Sequence, residues 1–400
     1  MKYIIVLSDG MAGEPLDELQ GKTTLEAAVT PVMDRLSKTS EIGLAYTVPE
    51  GMAPGSDTAN LSVIGYDPKV YYTGRSPLEA LSIGVDMKDT DVAIRCNVVT
   101  LSEEEEAYEK RRIIDHSSEE ITTAEADELL KAVKEVFEDV TYQFFTGTSY
   151  RHLLIWNEGK VAELTPPHDI LTKEIGPYLP DDDVLFEMMK KSYDILNDHP
   201  VNVKRREAGL RPANSLWFWG AGTRPALTSF EAKTGKKGAM ISAVDLLKGI
   251  AVGAKMHNIT VEGANAGLHT NYEGKARAAA AALLKDGYDF VYVHIEAPDE
   301  MGHQGLVKEK MEAIENVDGR VAGNIISALE AAGEDFRMLI LPDHPTPIAT
   351  RTHSSAPIPY LLYDSTSPAG GAPRYDEKSA RETGIIRQEG YKLIDYLFEK

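Results

Sequence analysis

Phe290-Val291-Tyr292-Val293-His294-Ile295-Glu296-Ala297-Pro298-Asp299-Glu300-Met301-Gly302-His303 passes from an apolar run into an acidic one that ends in histidine. Its first six residues are mostly apolar and β-forming, then the chain turns acidic, as when a buried strand runs out into a loop. Asp299 and His303 stand four residues apart, so a helical turn after the strand puts both on one face, where they can grip one ion. The pattern recurs: Tyr3–Leu7 runs into Asp9, Arg337–Leu341 runs into Asp343-His344, and His353 precedes a last strand at Pro359–Tyr363. In an open α/β sheet the carboxyl edge is where loops and helix N-termini converge and ligands bind. Aspartate with histidine suits magnesium or a transition metal. A lone strand-end aspartate is usually a turn or cap, and a lone histidine is usually just packed. Four such loops together point to a metal centre.

Working outward, short apolar runs alternate with amphipathic ones at both ends of the chain, which predicts a mostly parallel sheet flanked by helices. A further strand is expected at Ile259–Val261, with helices at Lys275–Leu284, Val307–Leu329 and Ser379–Phe398. The middle differs, with β-rich passages at Asp91–Leu101 and Thr141–Trp156 and a helix at Thr123–Phe137. It is read as a smaller α+β domain inserted at 78–185, leaving 1–77 and 186–400 as a discontinuous core.

The 400 residues carry 42 lysines and arginines against 63 aspartates and glutamates, a net charge of −21, which argues against a nucleic-acid or anionic-membrane binder. The single cysteine, Cys96, can form no internal disulfide and no structural zinc cage. No export signal is visible in Met1–Gly10, and the longest apolar runs, such as Ile250–Met256, fall short of a membrane span, so a cytoplasmic protein is expected. The sequence carries no signal for oligomeric state.

Pro54-Gly55-Ser56-Asp57-Thr58 places a serine where a glycine turn meets a helix. The ordinary role of Ser56 or Asp57 there is an N-cap. The functional role is a nucleophile, because a bound dication lowers a hydroxyl pKa and a helix N-terminus favours a phosphoryl anion. The chain has neither a Gly-x-Ser-x-Gly elbow nor a Walker P-loop. A scaffolding protein that merely bound metal would not need Ser56 beside six acidic and histidine ligands.

Leu7-Ser8-Asp9-Gly10, Ala53-Pro54-Gly55-Ser56-Asp57, His294 to His303, Pro342-Asp343-His344 and Thr352-His353-Ser354-Ser355-Ala356-Pro357 resemble the archaeal-type cofactor-independent phosphoglycerate mutases, within the alkaline phosphatase superfamily. The likeness runs nearly end to end. It implies an alkaline-phosphatase-like core, an inserted domain that closes over the substrate, and two divalent metal ions of manganese, zinc or magnesium. One ion would be held by Asp299, His303 and His353, the other by Asp9, Ser56, Asp343 and His344. Ser56 would carry the phosphoryl group between two hydroxyls of a small metabolite, interconverting 3-phosphoglycerate and 2-phosphoglycerate. Arg95 and Asn97 on one strand of the insert and Arg151 on another would bind the substrate, since arginine clamps carboxylates and phosphates; ordinary surface charge is the competing reading of both arginines.

The likeness departs at two places. Asp115-His116-Ser117-Ser118-Glu119-Glu120-Ile121 stands where the family carries arginines, and Trp217-Phe218-Trp219-Gly220-Ala221-Gly222 where it more often has an arginine before Gly-Ala-Gly. Both features resemble a paralogous branch proposed to phosphorylate homoserine, whose ammonium the acidic segment would receive. The alternative expectation is therefore a homoserine kinase that uses the same metal and serine site.

Overall fold

The structure is a computed structural model that describes residues 1–399. In chain order its strands are β1 (Lys2–Ser8), β2 (Glu41–Ala45), β3 (Val92–Leu101), β4 (Ile113–Asp115), β5 (Tyr142–Phe145), β6 (Arg151–Trp156), β7 (Ser215–Thr223), β8 (Gly238–Ile241), β9 (His257–Asn258), β10 (Phe290–Ile295), β11 (Phe336–Leu341), β12 (Ile358–Asp364) and β13 (Ile386–Arg387). They fall into two compact units, Met1–Tyr72 with the chain from Ala226 onward, and Thr73–Pro225.

The first unit is an α/β layer structure around a sheet ordered β13-β2-β12-β11-β1-β10-β8-β9. Its pairs are parallel except those of β12 with β11 and β2. The central strands are apolar on both faces, as expected of strands covered by helices on either side: β10 is buried throughout, and β1 is buried from Tyr3 to Ser8. Helices Tyr272–Leu284 and Asn324–Ala332 contribute Ala276, Ala279, Leu283, Ile325 and Leu329 to that core. Register decides where the site lies. Leu7 of β1 is opposite both His294 of β10 and Leu341 of β11, so Asp9, Glu296 and Asp343 leave three adjacent strands at one edge.

The second unit is built on β3, ten residues long and buried throughout, which pairs antiparallel with β4, β6 and β7. Helices Thr123–Phe137 and Asp183–Leu196 pack on it through Leu129, Leu130, Val133, Leu185 and Met189, and Cys96 lies buried in the same core. Among the described residues no helix is long and apolar enough to cross a membrane.

Four expectations need correction. The second unit spans 73–225, not 78–185, because β7 pairs along β3 from Val99↔Ser215 to Val92↔Thr223. Ile259–Val261 is not a strand; pairing with β8 ends at Asn258. Val307–Leu329 is not a continuous α-helix, since a π-helical segment, Val317–Gly323, separates Val307–Asn316 from Asn324–Ala332. Ser379–Phe398 is broken as well. Gly384 takes a φ of +72°, which glycine tolerates, and the chain then pairs with β2 as β13 before helix Leu393–Phe398.

Candidate active site

At the shared edge the strand ends deliver their side chains to one place. The loop after β1 carries Asp9, fully buried, and the loop after β11 carries Asp343 and His344, also fully buried. The helix Ala297–Gln304 that follows β10 holds Asp299 and His303 on one face, as their spacing predicts, with His303 Nε2 at 3.1 Å from Asp299 Oδ2. His353 closes the ring: its Nε2 is 3.5 Å from Asp299 Oδ1 and 2.9 Å from His303 Nε2, and its imidazole stacks on that of His344 with ring centroids 3.9 Å apart.

The loops are locked to one another. The Gly10 N–H donates to Asp343 Oδ1 at 3.2 Å, the Thr346 N–H donates to the Ala12 carbonyl at 3.0 Å, and the Thr346 hydroxyl donates to Asp299 Oδ1. Lys310, fully buried, donates to the carbonyls of Ala12 and Thr346 at 3.3 and 2.7 Å and so ties two ligand-bearing loops to helix Val307–Asn316. Asn60 Nδ2 donates to Asp343 Oδ2 at 2.8 Å and is itself held by the Tyr292 hydroxyl at 2.6 Å.

Ser56 is the first residue of helix Ser56–Val63. It does not cap that helix. The cap position is Gly55, which has no side chain to cap the helix. The Ser56 hydroxyl lies instead 3.2 Å from His344 Nε2, and Asp57 is engaged with the Thr58 N–H and the Tyr72 hydroxyl.

This arrangement fits divalent cations. Ligand atoms of Asp299, His344 and His353 lie within 4.8 Å of one another, and so do those of Asp9, Asp343 and His344. Burial, then the charges of Asp343, Glu296 and Asp299, push the Asp9 carboxyl well above its usual range, and Asp9 Oδ1 is buried with no hydrogen-bond partner. Carboxylates this close repel unless a cation sits among them. Burial would also raise Asp299, but hydrogen bonds from His303 and His353 hold it well below the usual range, and its bond to His303 pushes that imidazole up to about 9. Burial keeps His344 on the low side, as a neutral metal-ligating imidazole requires.

Sequence reasoning missed His294 and Glu296 as members of the site, although both lie in the opening motif. Their ligand atoms form a third group with Asp9, and His294 Nε2 is 2.8 Å from Asp9 Oδ2. Burial pushes His294 down to about 3, so it acts as a neutral donor that orients Asp9. Asn60 and Lys310 carried no local signal at all.

In the second unit Arg95, Asn97 and Arg151 line one small pocket together with Arg75, His116 and Trp219. The surface-charge reading of Arg95 is wrong: it is 4% exposed and donates to Glu79 at 2.5 Å. Arg151 is exposed. Two carboxylates of the acidic segment are already engaged. Asp115 accepts from the Ser117 and Glu119 N–H groups and pairs with Arg211 at 2.9 Å, and Glu119 accepts from the Arg211 N–H.

Residues 37–202 match the family model described as 2,3-bisphosphoglycerate-independent phosphoglycerate mutase. The chain is 47% identical over 405 residues to a probable mutase of this name from Geobacter sulfurreducens, with all of both chains covered. It is also 47% identical to one from Methanosarcina barkeri, with 99% of each covered. Among solved structures, a Pyrococcus horikoshii protein matches with a TM-score of 0.83 at 30% identity over 99% of this chain and 96% of that one. The cofactor-independent phosphoglycerate mutase of Thermoplasma acidophilum matches with a TM-score of 0.65 at 28% identity over 99% of each. With a strand-edge cluster of aspartates and histidines, a serine freed from capping and relatives of this kind along its whole length, the chain belongs to the 2,3-bisphosphoglycerate-independent phosphoglycerate mutases.

Proposed function

We propose that this chain interconverts 3-phosphoglycerate and 2-phosphoglycerate without a bisphosphorylated cofactor, with Ser56 as the carrier of the phosphoryl group. The observation that carries the reading is the place of the Ser56 hydroxyl, at a helix N-terminus and 3.2 Å from His344 Nε2, with no capping bond to hold it there. Divalent cations of manganese, zinc or magnesium, two of them, held by Asp299, His303 and His353 and by Asp9, Ser56, Asp343 and His344, would neutralise charge and lower the pKa of the serine hydroxyl.

The chain's own residues then have defined tasks. The N-terminus of helix Ser56–Val63, with no side chain at its Gly55 cap, favours an incoming phosphoryl anion beside Ser56. Asn60, held by Tyr292, fixes Asp343, and the neutral His294 fixes Asp9, so both carboxylates are oriented before substrate arrives. Ser56 Oγ bonds to phosphorus as the ester oxygen of one glycerate hydroxyl leaves, and the neighbouring hydroxyl then displaces it, so the net reaction is an isomerisation. Arg95, Asn97 and Arg151 bind the anionic groups of the substrate.

The homoserine alternative has no support. The mutase-named relatives cover the whole chain, and the segment invoked for an ammonium spends Asp115 and Glu119 on internal partners. The test is an enolase-coupled assay of metal-loaded protein on 3-phosphoglycerate without ATP, beside homoserine with ATP. The mutase reading expects 2-phosphoglycerate in the first and no product in the second; homoserine phosphate alone would overturn it.

A further inference from the structure

The pocket of the second unit has a volume of about 180 Å³ and is walled by three guanidiniums, Arg75, Arg95 and Arg151, and two imidazoles, His116 and His168. No carboxylate lines it, in a chain whose net charge is −21. Arg95 is the buried element of the wall: one terminal nitrogen donates to Glu79, yet its Nε is buried with no partner, and its guanidinium lies over Trp219 at 4.8 Å. Glu79, outside the lining, pairs with Arg75 at 3.0 Å as well as with Arg95 and offsets part of this charge, but one carboxylate against three guanidiniums still leaves the wall positive, which suits an anion. The imidazoles are not loose. His116 meets Tyr150 edge-on at 5.7 Å and His168 at 6.0 Å, and His168 meets Trp219 at 5.3 Å. The Asn97 amide braces the same wall, accepting from Trp219 Nε1 at 3.1 Å and donating to the His116 carbonyl at 3.3 Å.

We infer that His116 and His168 are specificity-determining residues of this pocket, where they complete a site for a small multiply charged carboxylate or phosphate and tighten its hold on that anion when they are protonated. The inference rests on the mutase reading for the identity of the natural occupant. It goes beyond that reading in assigning the two imidazoles and a pH dependence.

The groups facing the imidazoles fix the sign. His168 faces Arg95 and Arg75 from other elements, His116 beside it, and Asp169 at 3.8 Å on its own segment; burial is the largest influence, Asp169 opposes it next, and burial together with the neighbouring cations keeps its proton affinity low. Tyr150, just before β6, meets His116, Arg151 at the start of β6 lines the same pocket, Glu120 acts on Tyr150, and Asp115 is already paired with Arg211. An anion bound among these cations reverses the repulsion, so each imidazole holds its proton more firmly when the pocket is filled. By linkage, the filled pocket is favoured at low pH and loosens as pH rises through the imidazole range.

The test uses the full metal-loaded chain with ring-labelled histidine. NMR titrations of His116 and His168 are recorded with and without 3-phosphoglycerate, and again with sulfate, whose charge does not change over this range. Both imidazoles are expected to titrate at higher pH with either anion. The KM for 3-phosphoglycerate should rise about fivefold or more from pH 6 to 8 in the wild type and much less in the His116→Gln/His168→Gln double variant. Imidazole titrations that ignore both anions, or an unchanged KM profile in the double variant, overturn the inference. Arg151→Ala separates the two levels. A raised KM there with indifferent imidazoles leaves the pocket as the substrate site and rejects only the histidines, whereas an unchanged KM rejects the pocket as the substrate site. If sulfate shifts both imidazoles but no 2-phosphoglycerate forms, the anion site stands and the mutase reading falls.

Discussion

Gly10 has almost no room at the site. Its φ is +60°, and a Cβ there would stand 2.5 Å from Asp299 Oδ1 and 2.8 Å from Asp299 Cα, so a side chain would be strained and would also drive the Asp9 loop off the Asp299 helix. Gly10→Ala is expected to leave the secondary structure intact by circular dichroism while metal affinity and kcat each fall roughly 10–100-fold. A variant that binds metal as the wild type does would show that the contact between these loops is slack. The same scale shows what the sequence could carry. Asp9, Asp343 and Asp299 were legible because each follows an apolar run, and a strand end is a local feature. Lys310 was not: within Val307-Lys308-Glu309-Lys310 it reads as a solvent-facing lysine, and only the tertiary fold brings it under the carbonyls of Ala12 and Thr346.

Single strands and helices were legible where their signal is local. Strand Phe290–Ile295 and helix Thr123–Phe137, the latter with a Thr122 and Glu125 capping box, match their expected bounds. The extent of the second unit was not legible, because its last strand joins β3 across more than a hundred residues. On β6 a buried group makes a testable contribution. His152 is 1% exposed, its Nδ1 accepts from the Gly147 N–H at 3.2 Å, and burial pushes its pKa from 6.5 down to about 4. The folded chain keeps this imidazole neutral where the unfolded chain takes up a proton. Its contribution is therefore present above the ordinary imidazole range and is lost as pH falls from 6.5 toward 4, by roughly 3 kcal/mol at most. Urea unfolding of the second unit should weaken more from pH 7 to 4.5 in the wild type than in His152→Gln. Parallel losses in both proteins would place the pH sensitivity elsewhere.

For the whole molecule, the −21 charge and the buried carboxylates of the site act in the same direction: without cations the first unit holds a repulsive cluster at its core edge. Exhaustive chelation should abolish turnover and lower the melting temperature by several degrees, both restored by a divalent ion, because binding to the folded state alone stabilises it. An unchanged melting temperature with full activity would make the cluster merely structural. Passage of the phosphoryl group over Ser56 can be trapped. Metal-loaded protein is mixed with 3-phosphoglycerate, quenched in acid within a turnover and digested, and the peptide containing Ser56 is read by mass spectrometry. Phosphate is expected on Ser56 in the wild type, with a Ser56→Ala protein that folds and binds metal yet forms 2-phosphoglycerate at least about a thousandfold more slowly. Phosphate on another residue, or near-normal turnover by Ser56→Ala, would contradict it.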